Sequence, residues 1–194
     1  MRVIALLFAV ALFAPVAAGA DDLPEVRIET SLGDITIELD HVHAPVTVDN
    51  FLRYVDEGHF DGTVVYRVVP SFVIQAGSWD ADVHARPSHD PIALEANNGL
   101  SNVRGSVAMA RGDDPASATS EFFIDLADNI ALDHQATDTG NSTGYAVFGK
   151  VVAGMDVVDK IAAVPLGDHG PMPGAAPVDP IVIRKVSILA GTKP

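Results

Sequence analysis

Cysteine is absent from all 194 residues. There is therefore no thiol nucleophile, no disulfide, no lipid-modified bacterial leader and no redox regulation through thiols, and stability must come from packing. No G-x-S-x-G elbow, H-E-x-x-H, P-loop or G-x-G-x-x-G occurs either, so covalent, metal-hydrolytic and nucleotide chemistries lose their usual signatures. Positive charge is scarce: 12 Lys and Arg stand against 26 Asp and Glu, a net charge of −14. Such a body repels nucleic acid and anionic lipid, and its excess charge reads as a solubility device.

The first twenty residues, MRVIALLFAVALFAPVAAGA, hold one charge, at Arg2, then an apolar run and a small-residue end at Ala18-Gly19-Ala20. They read as a removed export signal. An uncleaved anchor competes with that reading, since residues 3–20 approach the roughly 18 residues at which a membrane span begins. Cleavage takes twenty of the 194 residues, leaves 174, and moves the net charge from −14 to −15. The remaining 21–194 suit a single domain with a sizeable core. No internal repeat or linker marks a second one.

EVRIET and GDITIELD alternate apolar and polar residues around a tight Ser31-Leu32-Gly33 turn, which predicts an antiparallel hairpin. Pro45 suits a helix start, Val48, Phe51, Leu52 and Val55 share one helical face, and Gly58 can end it. Strands follow at about 63–69 and 72–76, joined at Pro70-Ser71. Residues 78–102 turn polar, with Pro87, Pro91 and Asn97-Asn98-Gly99, and predict a long surface excursion. Strands resume at SVAMA, EFFIDL and YAVFGKVV. A second helix covers GMDVVDKIAAV, and IVIRKVSIL closes the chain. About eight strands and two helices without a βαβ rhythm predict a closed eight-stranded antiparallel β-barrel capped by two α-helices.

His41-Val42-His43 would project two imidazoles to one side at strand spacing, but no third ligand is evident, and two solvated histidines are the plainer account. No metal and no cofactor are expected. Asn141-Ser142-Thr143 matches a glycosylation sequon and is read as loop. More pointed is VVYRVVPSFVIQAG, which sets Arg67 in an apolar strand and Gln75 in the next. An unpaired guanidinium in a core is costly, so a structural ion pair, an exposed edge or a function must account for it. One cation and one amide among Phe72, Val73, Ala110, Phe122 and Phe123 suit a small-ligand pocket. Strand alternation assigns Phe122 to the core, opposite Phe123.

YRVVPSFVIQAG, GSVAMARG, SATSEFFIDLADN and VFGKVVAGMDVVDKI, in that order, resemble the cyclophilin family of peptidyl-prolyl cis-trans isomerases, and with the export signal they resemble its periplasmic bacterial members most. The resemblance runs from about Val26 to Ser187. It implies catalysis by Arg67, with Gln75 positioning it and the peptide backbone, and a proline pocket lined by Phe72, Val73, Phe123 and Leu132. It further implies that backbone groups of Ala110 and Arg111 hold the substrate chain, leaving the side chain at 111 free to vary. The implied partners are proline-containing peptides and unfolded exported proteins, bound by a monomer, with no nucleic acid and no membrane once the signal is gone. A catalytically weak peptide-binding or chaperone module on the same barrel is the alternative.

Four positions depart from the family pattern. Tyr66 replaces a histidine before the arginine, Glu121 a glutamine before the paired phenylalanines, Ala131 a tryptophan, and Tyr145 a second histidine. Tyr66, Glu121 and Tyr145 fall at substrate-side positions. Glu121 is expected to turn a negative charge toward the peptide groove and to favour Lys or Arg near the proline. Ala131 implies weak inhibition by cyclosporin.

Overall fold

A computed structural model of the chain describes residues 23–136, 143–168 and 170–189. Residues 1–20, expected to be an export signal, and the sequon's Asn141 and Ser142 lie outside the described residues. Among those described, no helix is long and apolar enough to cross a membrane.

Strands β1 (Glu25–Thr30) and β2 (Gly33–Leu39) form the expected hairpin, paired from Glu25 opposite Glu38 to Thr30 opposite Gly33. Gly33 has φ +135°, and a Cβ there would stand 2.8 Å from a Val157 methyl, so turn and helix packing both require glycine. Helix α1 (Pro45–Asp56) buries Val48, Phe51, Leu52 and Val55, the face that the spacing predicts, and Gly58 follows it at φ +66°. Its open N–H groups are satisfied from far away. The Glu95 carboxylate accepts from Val46 N at 3.1 Å and from Thr47 N at 2.8 Å, placing negative charge at the positive end of the helix.

Strands β3 (Arg67–Val69), β4 (Val73–Ala76), β5 (Ser106–Met109), β6 (Phe122–Asp125) and β7 (Val147–Ala153) precede helix α2 (Met155–Ala162). The two-residue strands β8 (Leu166–Gly167) and β9 (Ala176–Pro177) form a small separate ribbon, and β10 (Ile183–Ile188) ends the described chain. Eight strands make one antiparallel sheet in the order β10-β1-β2-β7-β5-β6-β4-β3. The closed barrel is thus corrected to an open, strongly curled half-barrel. Of residues 63–66, expected to extend β3, Thr63 and Val64 make only isolated bridges, to Asp80 and Val182, and Val65 and Tyr66 lie outside any strand. The three-residue β3 gives its outward Val68 N–H to the Ala175 carbonyl at 2.7 Å, so the segment before β9 covers the edge that β10 would need.

The concave side carries the main core. Phe51 meets Phe60, Phe122 and Phe148 at ring-centroid distances of 5.1, 5.4 and 5.2 Å. Such pairs add about 1 kcal/mol each beyond the area they bury, the kind of packing a cysteine-free chain depends on. The 78–102 excursion is tied down by Arg86, which donates to the carbonyls of His59 and Asp61 at 2.7 and 2.6 Å. His41 and His43 pair with different carboxylates, Asp49 at 3.1 Å and Asp40 at 2.8 Å. Among the described residues no group of three or more metal-ligating side chains is close enough to hold an ion.

Candidate functional site

The sheet register builds the site. Arg67 stands opposite Gln75 on β3 and β4, Gln75 opposite Phe123 on β6, and Phe123 opposite Ala108 on β5. Because side chains alternate along a strand, this row shares one face while Val68, Ile74, Phe122 and Ile124 enter the core on the other. On the site's face, Val73, Ala108, Ala110, Phe123 and Val147 form a small buried cluster against which Phe72, Leu100, Leu132 and Tyr145 pack.

That cluster floors a cavity of about 240 Å³, lined by Arg67, Phe72, Val73, Gln75, Ala110, Arg111, Phe123, Leu132, Tyr145 and Met172. Nine of the eleven residues singled out from sequence come together here; Tyr66 and Glu121 do not line it. Arg67 Nη1 donates to Gln75 Oε1 at 2.9 Å, and its guanidinium carbon lies 5.9 Å from the Phe72 ring centroid. Opposite-strand geometry thus holds the cation at the mouth of an apolar pocket, with an amide fixing its direction.

Behind the lining lies a polar knot. Gln75 Nε2 donates to Glu121 Oε2 at 2.8 Å and to the Tyr66 hydroxyl, which in turn donates to Glu121 Oε2 at 2.6 Å. Ser78 Oγ donates to Glu121 Oε1. Burial first, and then the adjacent Glu121 charge, push the Tyr66 phenol above its ordinary range, so it stays a protonated donor. The approach requires glycine at 77, where a Cβ would meet the Ser120 carbonyl at 2.4 Å. Expected to turn its charge on the groove, Glu121 instead does not line the cavity, and its carboxylate oxygens accept from Tyr66, Ser78 and the lining residue Gln75.

Two further features escaped the sequence. Met172, on the loop between β8 and β9, closes one side of the cavity, and nothing in that Pro- and Gly-rich stretch distinguishes it. Arg111, expected to matter only through its backbone, places its side chain on the wall. Its Nε donates to the Gly144 carbonyl at 2.9 Å and Nη1 to the Gly112 carbonyl at 2.8 Å. Its guanidinium carbon lies 4.9 Å from the centroid of Tyr145, which meets Phe123 edge-on at 5.5 Å. The Ala110 N–H is committed to the Glu121 carbonyl at 2.8 Å, leaving the Ala110 carbonyl as that residue's main-chain group for a substrate.

Beneath Phe72 sits Asp125, fully buried, accepting from Ser106 Oγ and from Asn129 Nδ2, both at 2.7 Å. Asn129 also donates to the Phe72 carbonyl at 2.9 Å, coupling this carboxylate to the pocket wall. Burial raises the Asp125 pKa to about 6 against the opposing effect of those two hydrogen bonds.

The site can therefore enclose a small apolar group and present a guanidinium beside it. Comparison with known proteins agrees. The family model described as "Cyclophilin type peptidyl-prolyl cis-trans isomerase/CLD" matches residues 25–188. The chain is 45% identical to "Peptidyl-prolyl cis-trans isomerase A" of Dickeya dadantii over 91% of its own length and 90% of the other. It is 42% identical to "Peptidyl-prolyl cis-trans isomerase B" of Escherichia coli over 84% of its own length and 98% of the other. Among solved structures, a Cryptosporidium parvum cyclophilin type isomerase shares the fold at TM-score 0.70 and 24% identity, covering 87% of this chain and 98% of the other.

Proposed function

The chain belongs to the cyclophilin-type peptidyl-prolyl cis-trans isomerases and accelerates rotation about X-Pro bonds, and from that premise we propose that Arg67 supplies the catalysis and that the protein serves exported clients in the periplasm. An X-Pro amide is planar because the nitrogen lone pair conjugates with the carbonyl, and rotation meets a barrier of about 20 kcal/mol, with relaxation over tens of seconds or longer. No bond breaks. At the twisted transition state conjugation is lost and the nitrogen becomes a hydrogen-bond acceptor. A guanidinium aimed at it binds the twisted form better than the planar one, which is the differential binding that catalysis needs.

The residues divide this work. Phe72, Val73, Phe123 and Leu132 take the proline ring, Tyr145 closes the wall beside Phe123, and the Ala110 and Arg111 main chain steadies the peptide. Gln75 holds Arg67. If Arg67 and the apolar clamp lower the barrier by about 7 kcal/mol, the rate rises roughly 10⁵-fold without metal or cofactor. The observation that carries this reading is the 2.9 Å Arg67–Gln75 hydrogen bond at the mouth of the apolar cavity.

The leader-like residues 1–20, with their Ala18-Gly19-Ala20 end, support export, and proline-containing segments of unfolded exported proteins are the fitting clients. The working unit in this reading is a monomer. The test is cis-to-trans relaxation of a short Ala-Pro peptide with purified 21–194. The parent is expected to accelerate it, and folded Arg67→Ala to lose about 10²–10³-fold in kcat/KM, as when a transition-state donor is removed. Retention of the rate by the variant would end the assignment of Arg67. The mass of the protein recovered from periplasm checks export: a chain starting at Asp21 is expected, and an intact leader would overturn it.

A further inference from the structure

Resting on that isomerase reading, we propose that Arg111 is a specificity residue whose guanidinium receives a carboxylate on the substrate beside the proline. The enzyme then prefers X-Pro segments flanked by Asp or Glu over those flanked by Lys or Arg.

The starting point is a local reversal of charge. Acidic residues outnumber basic ones 26 to 12 along the chain, yet the cavity lining contains two arginines and no carboxylate. Among the described residues the Lys and Arg ion pairs are those of Arg104, Lys150 and Lys160 with acids at 2.8 to 2.9 Å, so both cavity arginines keep their charge uncompensated beside the apolar lining. Arg67 has its partner in Gln75 and its task at the amide nitrogen. Arg111 has no such task.

Its placement suits recognition. Two neutral carbonyls and the Tyr145 ring fix the guanidinium without neutralising it, and no described group accepts from Nη2. An arginine already stacked and tethered loses little freedom when it binds a carboxylate, and a half-buried site strengthens the charge-assisted bond. The nearby acid that could impose the opposite preference, Glu121, is occupied by Tyr66, Gln75 and Ser78.

The experiment compares kcat/KM for short peptides carrying Glu, Gln or Lys immediately before or immediately after the proline. Glu is expected to exceed Lys on the order of tenfold at one of the two positions at low salt, a difference of about 1.4 kcal/mol. Near 1 M salt, where the screening length falls to about 3 Å, the ratio should shrink toward one. In Arg111→Gln the Glu-to-Lys ratio should also collapse, whatever the variant's overall rate, because a general loss of structure slows both peptides alike. A ratio near one at both positions in the unmodified protein, or a preference that survives Arg111→Gln, overturns the inference. Absence of acceleration with the Gln peptides would instead strike the isomerase reading itself.

Discussion

Phe122 and Phe123 are neighbours on β6, and the pleat sends them to regions built on opposite principles. Phe122 meets Phe51 and Phe60 edge-on at 5.4 and 5.6 Å, inside a core made almost wholly of carbon. Phe123 meets Tyr145 at 5.5 Å on a face where polar groups gather: Glu121 behind the cavity lining, Asp125 below Phe72, Arg67 and Arg111 on the wall. On the core side one apolar group can stand for another of the same volume. On the cavity side most polar atoms have an assigned partner and a few, such as Arg111 Nη2, stand open, so a substitution there should register in chemistry and pH dependence before it registers in folding.

The largest effect should come from breaking the core side. Phe122→Ala removes a ring 3% exposed and should cost about 3–5 kcal/mol of stability, measured by urea or thermal unfolding. The fraction that stays folded should isomerise at close to the parent rate. A loss under about 1 kcal/mol, or inactive folded protein, would erase the distinction between the two faces.

A smaller effect, of opposite sign, should come from Asp125. Its pKa rises from 3.8 to about 6 on burial, so between roughly pH 4 and 6 the folded state holds a proton that the unfolded chain has released. Stability attributable to this group is therefore highest below about pH 4 and falls as pH rises toward 6, by about 3 kcal/mol for a shift of this size. Asp125→Asn keeps an acceptor for Asn129 and can donate to Ser106 Oγ, so it should be more stable than the parent at pH 7 and nearly equal at pH 4. Unfolding at the two pH values decides it. A difference between parent and variant that does not change with pH would mean that the carboxylate is not held as its burial implies.

Period-two alternation was enough to separate Phe122 from Phe123 and to put Arg67, Gln75 and Phe123 on one face, because those relations are local or set by strand pairing. Closure was not legible. Whether β10 or another segment covers β3 turns on the Val68–Ala175 bond, made by a loop with no periodic pattern. Nor was the bearing of Glu121: Ser78 and Tyr66, its partners, lie 43 and 55 residues away, and only the fold tells whether a carboxylate meets substrate or hydroxyls. Arg111 was misjudged for a related reason, since its tethers, the Gly112 and Gly144 carbonyls, are main-chain groups to which composition is blind.

The finest test of the comparison lies in how Glu121 acts through Gln75. A carboxylate only accepts, so it dictates which end of the Gln75 amide faces it: Nε2 turns to Glu121 and Tyr66, and Oε1 is left for Arg67. In Glu121→Ala that instruction is gone. The amide can rotate and set its NH2 against the guanidinium, donor against donor, so Arg67 is less often aimed at the proline nitrogen. The expected loss is about tenfold in kcat/KM, carried by kcat with KM nearly unchanged, because the misplaced interaction is one made only in the transition state. Glu121→Gln still offers an oxygen to Gln75 Nε2 and should recover most of the rate. If Glu121→Ala instead raises KM and leaves kcat alone, Glu121 contacts substrate directly, and the knot belongs to the binding surface rather than to the support behind it.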